Sequence, residues 1–169
     1  MAEFFDIYDE NGNHLGIAPR SECHRNPALI HCTAHIAVKH PETGDLLLQK
    51  RRMDKDIQPG KWDTAAGGHL DAGESFETAA YRELAEELGV SEKVELHHLF
   101  DSRIRNEIES ENTRIFGVAL AGPFAFQQSE IDEVRFFTAA ELNDPQWRKD
   151  FTPNLLIELD DLKKCGFLQ

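Results

Sequence analysis

The stretch GGHLDAGESFETAAYRELAEELGV, residues 67–90, decides how the rest of the chain is read. From Phe76 onward it has the pattern of an amphipathic helix. Ser75 offers a side-chain oxygen to cap the first turn, and Gly89 stands just past the last apolar residue, where a left-handed C-terminal position suits glycine. Phe76, Ala80, Leu84 and Leu88 recur every four residues and make one apolar stripe. With Phe76 as origin the stripe runs to about 120°, while Glu83 falls at about -20° and Glu87 at about +20°. Both carboxylates overlap the edge of the buried face, with Glu86 further round. Like charges three or four residues apart each cost roughly 0.2–0.5 kcal/mol on an exposed helix, and more where solvent is scarce. Two readings are open at this point. The helix is an acidic surface of an acidic protein, or its carboxylates gather to hold a divalent cation. Carboxylate oxygens with no thiolate beside them suit Mg2+ or Mn2+.

The whole chain sets bounds on both readings. Its 169 residues suffice for one domain with a real core, and a single domain over residues 1–169 is expected. A hydrophobic fraction of 40% with 29% charged residues is the composition of a soluble globular protein. The net charge of -13 repels nucleic acid and anionic lipid, so neither is expected as a partner. A phosphorylated small molecule remains compatible, provided local basic groups or a metal receive it. The three cysteines, Cys23, Cys32 and Cys165, match no zinc spacing and point to a reducing compartment. The opening MAEFFDIYDENG lacks a basic n-region, and no run approaches the ~18 apolar residues of a membrane span. A cytoplasmic protein is expected.

Outward from the helix, the chain reads as a mixture of strands and helices without strict alternation. EFFDIYD, NGN and HLGIA spell strand, tight turn and strand, since Asn-Gly supplies the positive φ a hairpin needs. LIHCTAHIAVK is an apolar, β-rich run and a candidate central strand. DLLLQKR is another, and MDKDIQPGKWDTAAGGH is a loop entering a short strand. KVELHHLFDSRIR, TRIFGVALA and EVRFF are the remaining strands. RNEIESEN, from Arg105 to Asn112, reads as an acidic loop. Thr138 caps AAELN, and PNLLIELDDLKKC closes the chain as a helix. The pattern implies a mixed sheet with helices packed on its faces.

Nine positions in this region carry a specific resemblance. Gly68, Glu74, Arg82, Glu83, Leu84, Glu86, Glu87, Gly89 and Val90 match the Nudix box, G-x5-E-x7-R-E-U-x-E-E-x-G-U with U apolar, at every fixed position. The segment resembles the loop–helix–loop of Nudix hydrolases, and the rest of the chain is compatible with their α/β/α sandwich. The resemblance implies metal ligation by Glu83, Glu86 and Glu87, with Glu74 and Arg82 orienting them. It implies that Gly68 lets backbone approach the site and that Gly89 ends the helix. The chemistry implied is attack of water on a phosphorus of a diphosphate linked to another group, in a small-molecule substrate. Members of the family are often dimers, so the resemblance admits a homodimer.

Other stretches resemble the Nudix branch that includes type 1 isopentenyl-diphosphate isomerase. These are FDIYDENGNHLGIAPRSECH, LLLQKRRMDK and PGKWDTAAGGH. That resemblance implies a second metal site at His24, His31 and His69, and diphosphate binding by Arg51 and Lys55. The island KRRMDK also stands out unaided in so acidic a chain. The isomerase carries a catalytic cysteine where this chain has Gly67, and glycine neither donates nor accepts the proton that allylic isomerisation requires. Glu109 and Glu111 are candidates for two acidic residues the isomerase uses beyond the box, and for a general base. Glu130 and Glu133 are rivals for that base. A hydrolase is therefore expected ahead of an isomerase, with a non-catalytic diphosphate-binding module third. His40, His97 and His98 read as solvated residues, His35 as a histidine satisfying a core hydrogen bond, and Trp62 as core.

Overall fold

The computed structural model describes residues 2–169. β1 (Phe4–Tyr8) and β2 (His14–Pro19) form the expected hairpin. The Asp9 carboxylate accepts the backbone N–H of Asn11 and of Asn13, each at 2.9 Å, and Gly12 takes the positive φ of the turn. A short helix, α1 (Arg20–Cys23), leads toward β3 (Ile30–Lys39), the strand on which the architecture turns. β3 runs antiparallel to β6 (Ala66–His69) and parallel to β8 (Ser110–Ala119). β8 in turn pairs with β7 (His97–Arg105). β4 (Leu46–Arg51) lies between β5 (Trp62–Thr64) and β9 (Ile131–Phe137). Among the described residues these nine strands form one mixed sheet.

β3 and β4 are bonded only at Lys39↔Leu46 and then part. The chain closes the gap by stepping from β4 to β3 through β5 and β6, with Ala65 at the crossing. This split in the sheet positions everything described below.

Helices cover both faces. α2 (Phe76–Leu88) packs Ala80, Leu84 and Leu88 on Ala34, Ile36 and Val38 of β3. α5 (Pro153–Lys164) packs Leu155, Leu159 and Leu162 on the other face, against Ala37, Leu46 and Leu48. The alternation of β3 serves both layers, with Ala34, Ile36 and Val38 in one and Ala37 in the other. Each fully buried leucine contributes about 1.5–3 kcal/mol. The α/β/α sandwich is thus the observed layer order. Ser75 caps α2 by accepting the Thr78 N–H, and Gly89 takes φ 70° beyond it. Thr138 caps α3 (Ala139–Asn143) in a reciprocal capping box with Glu141, and α4 (Pro145–Arg148) follows.

The structure departs from the sequence reading at several elements. The two four-residue helices α1 and α4 are too short to show a period. β7 begins at His97 rather than Lys93. Ser110–Asn112, read as part of an acidic loop, are the first residues of β8, because β3 supplies a parallel partner from Ile30↔Ser110 onward. Trp62 is core, edge-on to Phe137, as expected. No helix among the described residues is long and apolar enough to cross a membrane.

Candidate active site

A cavity of about 650 Å³ opens at the split between β3 and β4. Glu87 reaches into the split from α2. One of its oxygens accepts the Gly67 N–H on β6 at 2.7 Å, and the other accepts Gln49 Nε2 on β4 at 3.2 Å. The carboxylate therefore bridges the two halves of the sheet. Burial pushes its pKa up to about 7, against the lowering effect of the Gly67 N–H. This is the residue the helical wheel placed at the edge of the apolar stripe.

Arg82 organises the other acidic groups. Its guanidinium donates to both oxygens of Glu74, each at 2.8 Å, to Glu83 Oε1 at 2.6 Å and to the His69 carbonyl at 3.0 Å. Glu86 is farther away, at 3.5 Å, and half exposed. Arg82 holds Glu74 below its usual pKa, while burial raises Glu83. A Cβ at Gly68 would overlap the Glu83 carboxylate, so the absence of a side chain there is what lets Glu83 lie against β6. Glu83, Glu86 and Glu87 all line the cavity.

On the α5 side of the same cavity, three histidines converge. His31 Nε2 and His69 Nε2 lie 3.2 Å and 3.0 Å from Glu111 Oε2, and His24 Nε2 lies 3.2 Å from His69 Nε2. Phe5 stacks on both His31 and His69 and holds their ring planes. His24, His31, His69 and Glu109 offer four ligand atoms all within 4.8 Å of one another. Burial opposes a charge on Glu111, yet the two imidazole hydrogen bonds hold its carboxyl below the usual range. Burial and then the neighbouring His69 push His24 down to about 4. The pairing His31↔Glu111 across the parallel β3–β8 ladder is what brings Glu111 here.

Arg51 and Lys55 both line the cavity. Arg51 lies 3.8 Å from Asp63, and Lys55 pairs with Glu130. Glu130 therefore sits at the site, whereas Glu133, opposite Lys50 on β9, does not line the cavity. His35 bonds Glu158 as a core histidine would. His40 accepts two turn N–H groups, and His98 pairs with Asp101 on the surface. Cys23 and Cys32 are pushed up by burial, Cys32 to about 11, which leaves both as inert thiols. Gln49 and Asp63 line the cavity, and Glu158 bonds His35 behind it; no motif in the sequence marks any of the three.

The model of the family described as the NUDIX domain matches residues 31–155. This chain belongs to the Nudix family. Among its curated relatives, an uncharacterized Nudix hydrolase of Yersinia pestis is 35% identical over 160 residues, covering 92% of this chain and 83% of the relative. An isopentenyl-diphosphate Delta-isomerase of Streptomyces avermitilis is 31% identical over 164 residues, covering 94% and 83%. Among solved structures, DR0079 from Deinococcus radiodurans superposes with a TM-score of 0.77 over 97% of this chain and 99% of that one, at 21% identity, which is a likeness of fold.

The Nudix frame makes Gly67 informative. It stands opposite His35 on the β3–β6 ladder, and a Cβ there would lie 2.7 Å from His35 Cδ2 and 3.2 Å from the Ala34 carbonyl. The imidazole fills the space a side chain at residue 67 would need. Gly67→Cys is expected to destabilise this Nudix protein by about 1–3 kcal/mol through overpacking, without gain of isomerase activity. Thermal unfolding and an isomerisation assay on the variant check both halves.

Proposed function

We propose that this Nudix protein is a Mg2+-dependent pyrophosphohydrolase that cleaves the diphosphate linkage of a small molecule. The observation that carries the reading is the cavity at the split. It gathers Glu83, Glu86 and Glu87 with Arg51 and Lys55, while the residue at position 67 has no side chain and its space is taken by His35.

The donor groups fit a metal. Glu83, Glu86 and Glu87 are hard oxygen donors of the kind Mg2+ prefers. His24, His31, His69 and Glu109 are a separate, nitrogen-rich set suited to Mn2+ or Zn2+. A bound divalent ion lowers the pKa of water and neutralises charge developing on phosphoryl oxygens. The remaining work belongs to the chain. Arg82 holds Glu83 and Glu74 in place. Arg51 and Lys55 exchange Asp63 and Glu130 for the oxygens of the substrate diphosphate. Glu87 ties the two halves of the sheet together and so fixes the width of the site.

A second reading is an isomerase acting on isopentenyl diphosphate. The histidine–glutamate cluster and the Streptomyces relative favour it. The absence of any thiol at position 67 weighs against it. The test incubates the protein with Mg2+ and a panel of nucleoside di- and triphosphates, nucleotide sugars, dinucleotides and isopentenyl diphosphate, with products read by mass spectrometry. Cleavage of one class at its diphosphate is expected. Conversion of isopentenyl diphosphate to its allylic isomer, with no cleavage of any compound, would overturn the reading.

A further inference from the structure

His35 is more than a satisfied core histidine. Its Nδ1 donates to Glu158 Oε2 at 2.9 Å. Glu158, only 6% exposed, is itself anchored because its other oxygen accepts the Thr64 hydroxyl at 3.2 Å. One bond orients the ring and the other anchors its partner. The opposite nitrogen, Nε2, has no hydrogen-bond partner among the described residues, yet it is not among the sealed, unsatisfied polar atoms. The ring lines the cavity. A histidine kept only for the core would have its second nitrogen bonded or enclosed.

The charge state points the same way. Burial opposes a charged ring, but the Glu158 carboxylate and its hydrogen bond, with Asp63 and Glu111 beyond it, outweigh burial and push His35 up to about 9. Both ring nitrogens then carry protons near neutral pH. The other cations of the cavity also face carboxylates: Arg20 faces Glu3, Arg51 faces Asp63, Lys55 faces Glu130, and Arg82 faces Glu74 and Glu83. The ring also lies beside Gly67, whose N–H is bonded to Glu87. His35 thus stands one backbone away from the carboxylates of α2, in the room that a side chain at residue 67 would close.

We propose that His35, held by Glu158, is a diphosphate-binding residue whose Nε2–H donates to a non-bridging phosphoryl oxygen of the substrate. The proposal rests on the diphosphate reading of the cavity and adds to it a donor from the α5 side of the sheet. It also gives Gly67 a positive role. The missing side chain admits the ring to the reaction centre.

The test uses methylenediphosphonate with Mg2+, a probe that has the two phosphoryl groups and nothing else. Nitrogen-15 NMR of the intact protein follows the imidazole signals of His35 and the amide signals of Gly67 and Gly68. Displacement of the Nε2 signal together with the two glycine amides is expected. A paired variant, His35→Ala with Glu158→Leu, removes both partners so that no buried carboxylate is stranded. It is expected to bind the probe about twentyfold more weakly by calorimetry, as for loss of a hydrogen bond to a charged group. Glycine amides that shift while Nε2 stays still, or an affinity within twofold of the parent, would overturn the inference and leave the diphosphate reading standing. No shift at any of the three residues would overturn both. An Nε2 signal that responds to a nucleoside diphosphate but not to methylenediphosphonate would place the contact on the organic moiety and equally overturn the proposal.

Discussion

Glu86→Gln is expected to lower hydrolytic turnover on the order of a hundred- to a thousandfold while leaving the folded state as stable as before. The size follows from the several kcal/mol of transition-state charge stabilisation that a bound metal would supply, much of which would be lost once one of its proposed anionic ligands is neutralised. The absence of a folding cost follows from the position of the side chain. Glu86 is 54% exposed and its one ion pair, to Arg82, is long at 3.5 Å. Its charge also raises the pKa of the more buried Glu83, so removing it relieves repulsion worth a few tenths of a kcal/mol at most. Steady-state kinetics and a melting curve on the same preparation separate the two effects. Unchanged turnover would remove Glu86 from the metal-binding set.

Arg82→Lys is the change expected to damage both stability and activity, although it keeps the charge. The guanidinium spans Glu74, Glu83 and the His69 carbonyl at once, with two parallel bonds to Glu74. An ammonium is a single point with three donors and cannot reproduce that fork. Glu74 and Glu83 are only 11% and 12% exposed, so they lose partners in a place where water replaces them poorly. Arg82 itself is 27% exposed, and solvent screening keeps the loss below that of a fully buried pair. A destabilisation of about 2–3 kcal/mol is expected, or a Tm lower by about 5–10 °C for a chain of this size. Turnover falls with it, because Glu83 is no longer held against Gly68. A variant that melts with the parent would show that the Arg82 network is a surface decoration.

The layer order of the fold was legible because its signals are local. The cap at Ser75, the four-residue apolar spacing to Leu88 and Gly89 define α2 without reference to any other element, and the Asn-Gly turn does the same for β1 and β2. The wheel position of Glu87 at the edge of the stripe foretold a carboxylate pressed into the protein, and it is found bonded to Gly67 and Gln49. On the α5 side, the resemblance marked His24, His31 and His69, but the contacts of that side were not legible. Glu111 stands beside His31 only through a parallel register between residues distant in sequence, and a stretch such as IESENT carries no mark of strand when read alone. His35 and Glu158 meet through the packing of the last helix on the central strand, so one end of the pair could be read as a core histidine while its partner stayed hidden. The cause of the Gly67 departure was invisible for the same reason. The sequence shows a missing thiol, whereas the structure shows the ring that takes its space.

Hydrolysis can be traced by running the reaction in oxygen-18 water with Mg2+, on whichever compound of the panel is consumed, beside the Glu86→Gln variant. Hydrolysis of a diphosphate forms one new bond from phosphorus to water oxygen. A single oxygen-18 in one phosphoryl product of the parent protein is expected, with little labelled product from the variant. A product of unchanged mass with no heavy oxygen on phosphorus, formed equally by both proteins, would contradict it.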